Sequence, residues 1–127
     1  DDFAEAYSNL GILLFQQAKD EEAEEALIRA IELKSDESQV KVVLGNLYFL
    51  KAKALLQDEK IDEALEKLKT SYSYNPNYSY TSYFFGYAYS QKNMKEDAIK
   101  YFEAFLEMEP NAPQAAQVKE ILESLKK

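Results

Sequence analysis

Apolar residues recur every three or four positions along most of this chain, and short polar stretches separate the periodic segments. Residues 76–110 show the pattern clearly, with a tyrosine-rich segment, a polar break at 91–94 and a second apolar stripe. The second stripe comprises Ala98, Ile99, Phe102, Phe105 and Leu106. Such spacing is typical of amphipathic helices, and no window alternates apolar and polar residues as half-buried strands do. The pattern therefore predicts an all-α protein built from pairs of helices.

Three similar segments each contain one glycine, namely Gly11, Gly45 and Gly86. Ala23 and Ala98 each follow their glycine by twelve residues, whereas Ala64 follows Gly45 by nineteen. Glycine on one helix and alanine on the next let two antiparallel backbones approach closely. The spacing therefore predicts three helix pairs, at residues 4–37, 38–78 and 79–112, with a seven-residue insertion in the second.

The insertion in the second unit amounts to about two helical turns, which turn an apolar face by only about 20°. We therefore expect one continuous helix from about Glu37 to Gln57 and a longer middle hairpin. Ala52 lies twelve residues before Ala64, so it is an alternative to Gly45 at the close contact. The pattern leaves open which end of the hairpin carries the extra turns.

A different pattern follows Pro113, where an apolar stripe has residues at i, i+3, i+4 and i+7. The stripe comprises Val118, Ile121, Leu122 and Leu125. Stacked helix pairs leave an apolar face open at the end of the array, and a one-sided helix covers it. Residues 113–127 are therefore predicted to form a capping helix, which completes a single domain at residues 1–127.

The residues at the fixed offsets of these units resemble the tetratricopeptide repeat family. The first unit matches with Tyr7, Leu10, Gly11, Leu14, Ala23, Leu27 and Ala30, and has Ser35 in place of the final proline. The third matches with Phe85, Gly86, Tyr89, Ala98, Phe102 and Pro110. The second keeps Leu44, Gly45, Tyr48, Ala64, Leu68, Ser71 and Pro76 around its insertion. The resemblance implies a right-handed α-solenoid of three antiparallel helix pairs plus the cap.

The same resemblance implies a concave groove lined by the first helix of each unit, at its second, fifth, ninth, twelfth and thirteenth residues. Counted from the three glycines, these positions give a predicted partner-binding set of Ile12, Phe15, Asn46, Phe49, Tyr80, Tyr83 and Tyr87. The three tyrosines fall on one helical stripe whatever the family, because their spacing is i, i+3 and i+7. The alternative interpretation is that this stripe packs against neighbouring helices as ordinary core.

Composition excludes several classes of function. A net charge of −8 opposes binding to nucleic acid, and the chain has no cysteine or histidine for thiolate, zinc or imidazole chemistry. Acidic pairs such as Glu21 and Glu22 fall among basic residues at helical spacing, as on a solvated helix face. No phosphate loop or metal-ligand cluster is present. We therefore expect no enzyme, no cofactor, no metal site and no insertion into a membrane.

The predicted function is a protein–protein interaction module that binds a peptide or helix of a partner in an apolar, tyrosine-rich groove. One alternative is self-association into a homo-oligomer or scaffold, either through the uncapped N-terminal face around Phe3, Tyr7 and Leu10 or through the long middle hairpin. Another is an accessory domain of a longer multidomain protein, since the chain begins at Asp1 without methionine. Some family members bind acidic chaperone tails through Lys, Asn and Arg, but only Asn46 fits such a site here.

Overall fold

Seven α-helices make up the regular structure that the computed structural model describes, which covers residues 2–33 and 37–127. Their bounds are α1 Asp2–Gln16, α2 Asp20–Glu32, α3 Glu37–Gln57, α4 Ile61–Tyr74, α5 Ser79–Gln91, α6 Lys95–Met108 and α7 Ala115–Leu125. Ser35, predicted to replace the repeat proline, lies outside the described residues. Within these two ranges, no helix combines the length and apolar character needed to cross a bilayer.

The helices pack in consecutive pairs, α1 with α2, α3 with α4 and α5 with α6. Each pair then contacts the next through its second helix, so that α2 meets α3, α4 meets α5 and α6 meets α7. First helices also meet one another, α1 with α3 and α3 with α5. Contacts that run only between neighbouring pairs are those of a solenoid. The predicted all-α architecture of stacked helix pairs is confirmed.

The turn inside each pair reverses the chain with one residue in the left-handed conformation, at Ala18, Glu59 and Asn93 with φ near 60°. In the first turn the Lys19 amide donates to the Leu14 carbonyl at 2.9 Å and the Ala18 amide donates to the Phe15 carbonyl at 3.0 Å. The other two turns have the same pair of bonds. This arrangement is the Schellman motif, which satisfies the last carbonyls of the first helix.

In the part of the chain that the structure describes, three apolar clusters form the core, one at each junction of the array. Leu27 and Ala30 of α2 pack on Val40 and Leu44 of α3, which joins the first two pairs. A second cluster places Leu65 and Leu68 of α4 against Phe85 and Ala88 of α5, together with residues of α3. The third places Val118 and Leu122 of α7 on Phe102 and Phe105 of α6. Helix α7 thus covers the last pair as its apolar stripe predicts.

Helix α3 has 21 residues and α5 has 13, whereas their partners α4 and α6 have 14 each. The extra turns therefore extend the first helix of the middle pair, over the range that the sequence predicts. Ala52 is fully buried in the same cluster as Ala64 and Leu68. Gly45 packs two turns away, where an added Cβ would lie 2.7 Å from the Cβ of Asn75. Ala52 therefore occupies the position that Gly11 and Gly86 occupy in the other pairs.

Candidate functional site

Helices α3 and α5 face each other across a groove that aromatic side chains dominate. Two adjoining cavities of about 220 and 260 Å³ lie along it and share Lys53, Tyr83 and Phe84 as lining residues. We call this surface the aromatic groove and define it by Phe49, Lys53, Leu56, Gln57, Tyr78, Tyr80, Tyr83, Phe84, Tyr87 and Gln114. Apart from Tyr78 and Gln114, which immediately precede α5 and α7, these residues belong to α3 and α5.

The floor of the aromatic groove is built from rings in edge-to-face contact. The ring centroid of Phe49 lies 5.0 Å from those of both Tyr78 and Phe84, at interplanar angles of 83° and 61°. This geometry is the favoured one for aromatic pairs, because it sets the positive edge of one ring against the negative face of the other. Phe49 is only 8% exposed. It therefore supports the groove from below and offers little surface of its own.

Tyr80 and Tyr83 contact both the groove and the core beneath it. Their ring centroids lie 5.3 and 5.2 Å from that of Phe105, which is fully buried between α5 and α7. The Tyr80 hydroxyl donates to Oε1 of Gln114 at 3.1 Å, which fixes one end of the groove. Burial raises the pKa of Tyr83, with further contributions from Tyr87 and Tyr80. The Tyr83 hydroxyl therefore remains a protonated donor at neutral pH.

Gly86 explains why Tyr83 reaches the core. A Cβ added there would lie 2.7 Å from Cδ1 of Phe102, so the backbone of α5 runs directly over that ring. Because α5 approaches α6 closely at Gly86, neighbouring side chains of α5 also lie close to α6. Tyr83 consequently packs against Phe102 at a centroid distance of 6.2 Å. Part of the tyrosine stripe is therefore core, which was the alternative interpretation of its spacing.

Tyr87 and Lys53 form the open rim of the groove. Tyr87 is 42% exposed and borders the cavity that Leu56 and Gln57 also line. Lys53 is exposed and lines both cavities, whereas no carboxylate is among the described residues that line them. The local charge of the groove is thus opposite to the net charge of −8 on the whole chain. A carbonyl or carboxylate of a bound segment would find its donor at Lys53.

The predicted binding residues fall into two groups. Phe49, Tyr80, Tyr83 and Tyr87 come together in the aromatic groove. Ile12, Phe15 and Asn46 lie on α1 and on the first half of α3, and do not line its two cavities. Ile12 packs at the edge of the cluster that contains Leu27 and Leu44.

The residues that the sequence missed on α3 are Lys53, Leu56 and Gln57. They were missed because groove positions in the second unit were counted from Gly45. Counting from Ala52, which takes the glycine's place in the structure, gives Asn46, Phe49, Lys53, Leu56 and Gln57. Four of these five line the cavities. The twelve-residue spacing from Ala52 to Ala64 was the available signal.

Comparisons with known proteins agree with this architecture. Models of the tetratricopeptide repeat match residues 4–37 and 55–122. A search of curated protein sequences gives no match. Among solved structures, the first tetratricopeptide domain of Spaghetti (RPAP3) bound to the HSP90 peptide SRMEEVD superimposes with a TM-score of 0.60 at 23% identity, over 99% of this chain and 95% of that one.

Two other solved structures show the same fold. The second tetratricopeptide domain of human RPAP3 in complex with the HSP70 peptide SGPTIEEVD has a TM-score of 0.53 at 24% identity, over 98% of this chain and 96% of that one. The Yersinia enterocolitica type III secretion chaperone SycD, in complex with a peptide of the translocator YopD, has a TM-score of 0.54 at 18% identity. That match covers 99% of this chain and 94% of the other. Since one repeat model alone spans more than half of the sequence, the chain belongs to the tetratricopeptide repeat family.

Proposed function

We propose that this protein is an interaction module that binds a peptide segment of a partner protein in the aromatic groove between α3 and α5. The observation that carries the proposal is the pair of adjoining cavities, walled by aromatic rings and containing one exposed lysine. Tyrosine side chains suit such a surface, because they supply large, rigid contact areas together with a hydroxyl that tolerates partial hydration. Solved relatives in complex with peptides support a binding role.

The proposed contacts follow from the lining of the two cavities. Apolar side chains of the bound segment lie against Leu56 and Tyr87 in one cavity and against Tyr78 and Phe84 in the other. Lys53, which lies between them, binds a backbone carbonyl or an acidic side chain of the same segment. A longer ligand continues along α3 past Asn46 to Ile12 and Phe15 on α1. No reaction is proposed.

The test begins with a displayed peptide library selected on the wild-type protein, followed by measurement of Kd for a selected peptide. Lys53→Ala and Tyr87→Ala alter exposed side chains, so both variants should stay folded. We expect each to weaken binding by about tenfold or more, as at other interface hot spots. Lys100→Ala, an exposed lysine that lines neither cavity of the groove, is the matched control and should bind like the wild type.

Two results would contradict the proposal. One is selection of peptides whose affinity is the same for Lys53→Ala, Tyr87→Ala and the wild type. The other is loss of binding in the control variant, which would place the peptide elsewhere. Phe15→Ala and Asn46→Ala then test the extension onto α1 separately, because they lie beyond the two cavities.

A further inference from the structure

The first helix pair presents an apolar surface at the N-terminal end of the described array. Leu10 and Leu13 of α1 are 45% and 49% exposed, although both are large apolar residues. A cavity of about 280 Å³ between α1 and α2 is lined by Leu10. We call this surface the N-terminal face and define it by Tyr7, Leu10, Leu13, Leu14, Glu22, Glu25 and Ala26.

The equivalent surface of the third helix pair shows what kind of element packs there. Phe85 and Tyr89 stand in the same positions relative to Gly86 as Leu10 and Leu14 do relative to Gly11. In the third pair these two rings stack on each other at 6.0 Å, and Tyr101 of α6 stacks on Phe85 at 4.6 Å. Phe85 belongs to the same apolar cluster as Leu65 and Leu68 of α4, the second helix of the preceding pair, and Tyr89 and Tyr101 pack against that cluster. The N-terminal face is therefore shaped to receive a helix.

The contacts between α4 and α5 indicate what kind of helix would fit the N-terminal face. Ile61 packs against the apolar cluster that Leu65 and Leu68 share with Phe85, and the ring centroid of Tyr72 lies 6.5 Å from that of Phe85. These residues are spaced i, i+4, i+7 and i+11, which is a single stripe of an α-helix. A helix that docks on the N-terminal face needs the same stripe of large apolar residues.

The charges of the N-terminal face differ from those of the two internal junctions. Glu24 of α2 pairs with Lys51 of α3 at 2.9 Å, and Asp62 of α4 pairs with Lys92, which directly follows α5. In both junctions the incoming helix brings the carboxylate and the receiving pair provides the lysine. In the first pair the residues equivalent to those lysines are Leu10 and Gln17.

The described residues that line the cavity of the N-terminal face include two carboxylates and no lysine. Glu22 and Glu25 are exposed and line its cavity. Arg29, further along α2, already pairs with Glu32 at 3.0 Å. Glu22 and Glu25 have no ion pair with a basic side chain among the described residues, so an incoming helix meets negative charge and must supply the cations itself.

From these observations we propose that the N-terminal face binds an amphipathic helix of a partner protein, with an apolar stripe at i, i+4 and i+7 flanked by lysine or arginine. A second copy of this chain fits less well. Placing two such faces together would bring Glu22 and Glu25 against their counterparts, in a chain whose net charge is −8. The proposal is independent of the aromatic groove, which lies between other helices.

The test uses a helix whose docking geometry is known from this structure. The probe is a stapled peptide of residues 60–74, the α4 segment, with Asp62→Lys, Glu63→Lys and Glu66→Lys, labelled for fluorescence anisotropy. A staple is needed because isolated helices of this length are marginal in water. One control peptide keeps the three acidic residues, and a second carries the lysines together with Leu65→Asp and Leu68→Asp.

Matched protein variants locate the bound peptide. Leu10→Asp and Leu13→Asp should weaken binding of the basic peptide at least tenfold, and Leu50→Asp, which is 46% exposed on α3, should not. The double variant Glu22→Lys, Glu25→Lys should lose the basic peptide and gain affinity for the acidic one. Lys53→Ala and Tyr87→Ala should leave binding unchanged, which separates this surface from the aromatic groove.

The proposal is overturned if wild-type protein binds the basic and acidic peptides equally, or if Leu10→Asp binds like the wild type. It is also overturned if light scattering shows a dimer that Leu10→Asp converts to a monomer, since a second copy would then be the occupant. Circular dichroism of each variant confirms that the helices persist. A variant that unfolds is replaced by the serine substitution at the same position, which gives a milder loss of apolar surface.

Discussion

The hydroxyl of Tyr48 on α3 donates to the carboxylate of Glu24 on α2, which joins the first two helix pairs through a polar contact. Lys51 donates to the other oxygen of the same carboxylate at 2.9 Å. Burial raises the pKa of Tyr48, together with this hydrogen bond and the charge of Glu24, to about 12. Burial alone would raise the pKa of Glu24, but the bonds from Tyr48 and Lys51 and the nearby lysine charges lower it below 4.5.

We expect the deprotonation of Tyr48 to lower the stability of the protein at high pH. The unfolded chain releases this proton near pH 10 and the folded protein near pH 12, so the free energy of unfolding falls as the pH rises between them. Tyr48→Phe has no such proton and should lose less stability over the same window. At pH 7 it should cost about 1 kcal/mol for the lost hydrogen bond. Urea unfolding at pH 7, 10 and 11.5 measures both effects.

Glu24→Gln gives the complementary result on the acidic side. A lowered pKa contributes stability above pH 4.5, which is lost as the pH falls through the pKa of the folded protein. The wild type should therefore lose more stability than Glu24→Gln below pH 4.5. Equal pH profiles for the variant and the wild type, on either side, would show that the contact does not persist in solution.

Replacing a turn residue of left-handed conformation by glycine should stabilise the fold. Glu59 has φ of 61° and is exposed, so its side chain contributes strain without a compensating buried contact. Glu59→Gly should raise the free energy of unfolding by about 0.5–1 kcal/mol. Asn93→Gly is the control, because asparagine tolerates this conformation and should gain less. Thermal unfolding of both variants measures the two gains. A larger gain for Asn93→Gly than for Glu59→Gly would contradict the prediction.

Removing a buried hydroxyl should raise the free energy of unfolding at Thr81 and lower it at Ser71. Thr81 is fully buried, and its Oγ1 has no hydrogen-bond partner among the residues that the structure describes. Thr81→Val should stabilise the fold by about 1 kcal/mol, since an unsatisfied polar atom is replaced by a methyl group. Ser71 Oγ donates to the Gly45 carbonyl at 2.7 Å. Ser71→Ala should therefore destabilise by about 1–2 kcal/mol in the same urea titration.

The two neighbouring tyrosines of the stripe should differ sharply in their effect on stability. Tyr83→Ala removes a ring that contacts Phe84, Phe102 and Phe105, so it should cost about 2–4 kcal/mol of unfolding free energy. Tyr87 is 42% exposed, and Tyr87→Ala should cost less than about 1 kcal/mol. Similar losses for the two variants in urea titrations would mean that the stripe is uniformly core or uniformly surface.

Periodicity in the sequence was sufficient to predict the helix pairs and the α7 cap, because those features depend on local apolar spacing. The long helix α3 was predicted as well, since a seven-residue insertion hardly rotates a helix face. The sequence did not show how Tyr83 divides its surface between groove and core. That division depends on the approach of α5 to Phe102, a tertiary distance that spacing within one helix does not contain.

The α3 wall of the aromatic groove escaped prediction for a related reason. Gly45 and Ala52 both have the small side chain that close packing needs, and only the packed structure shows which one lies opposite Leu68. Counting from Gly45 instead of Ala52 displaced each groove position inferred for α3 by seven residues, which is two helical turns. Lys53 was missed in consequence, because a single lysine on a helix has no pattern of its own to distinguish it.

The aromatic groove also gives the protein an intrinsic optical signal. The chain has ten tyrosines and no tryptophan, so its near-ultraviolet emission comes chiefly from the phenol rings of tyrosine. Four of those rings, at Tyr78, Tyr80, Tyr83 and Tyr87, line the two cavities. A bound segment that shields them from water would change the emission without any label. A segment containing tryptophan would accept energy from these tyrosines, so that its arrival could be followed in real time by its own fluorescence.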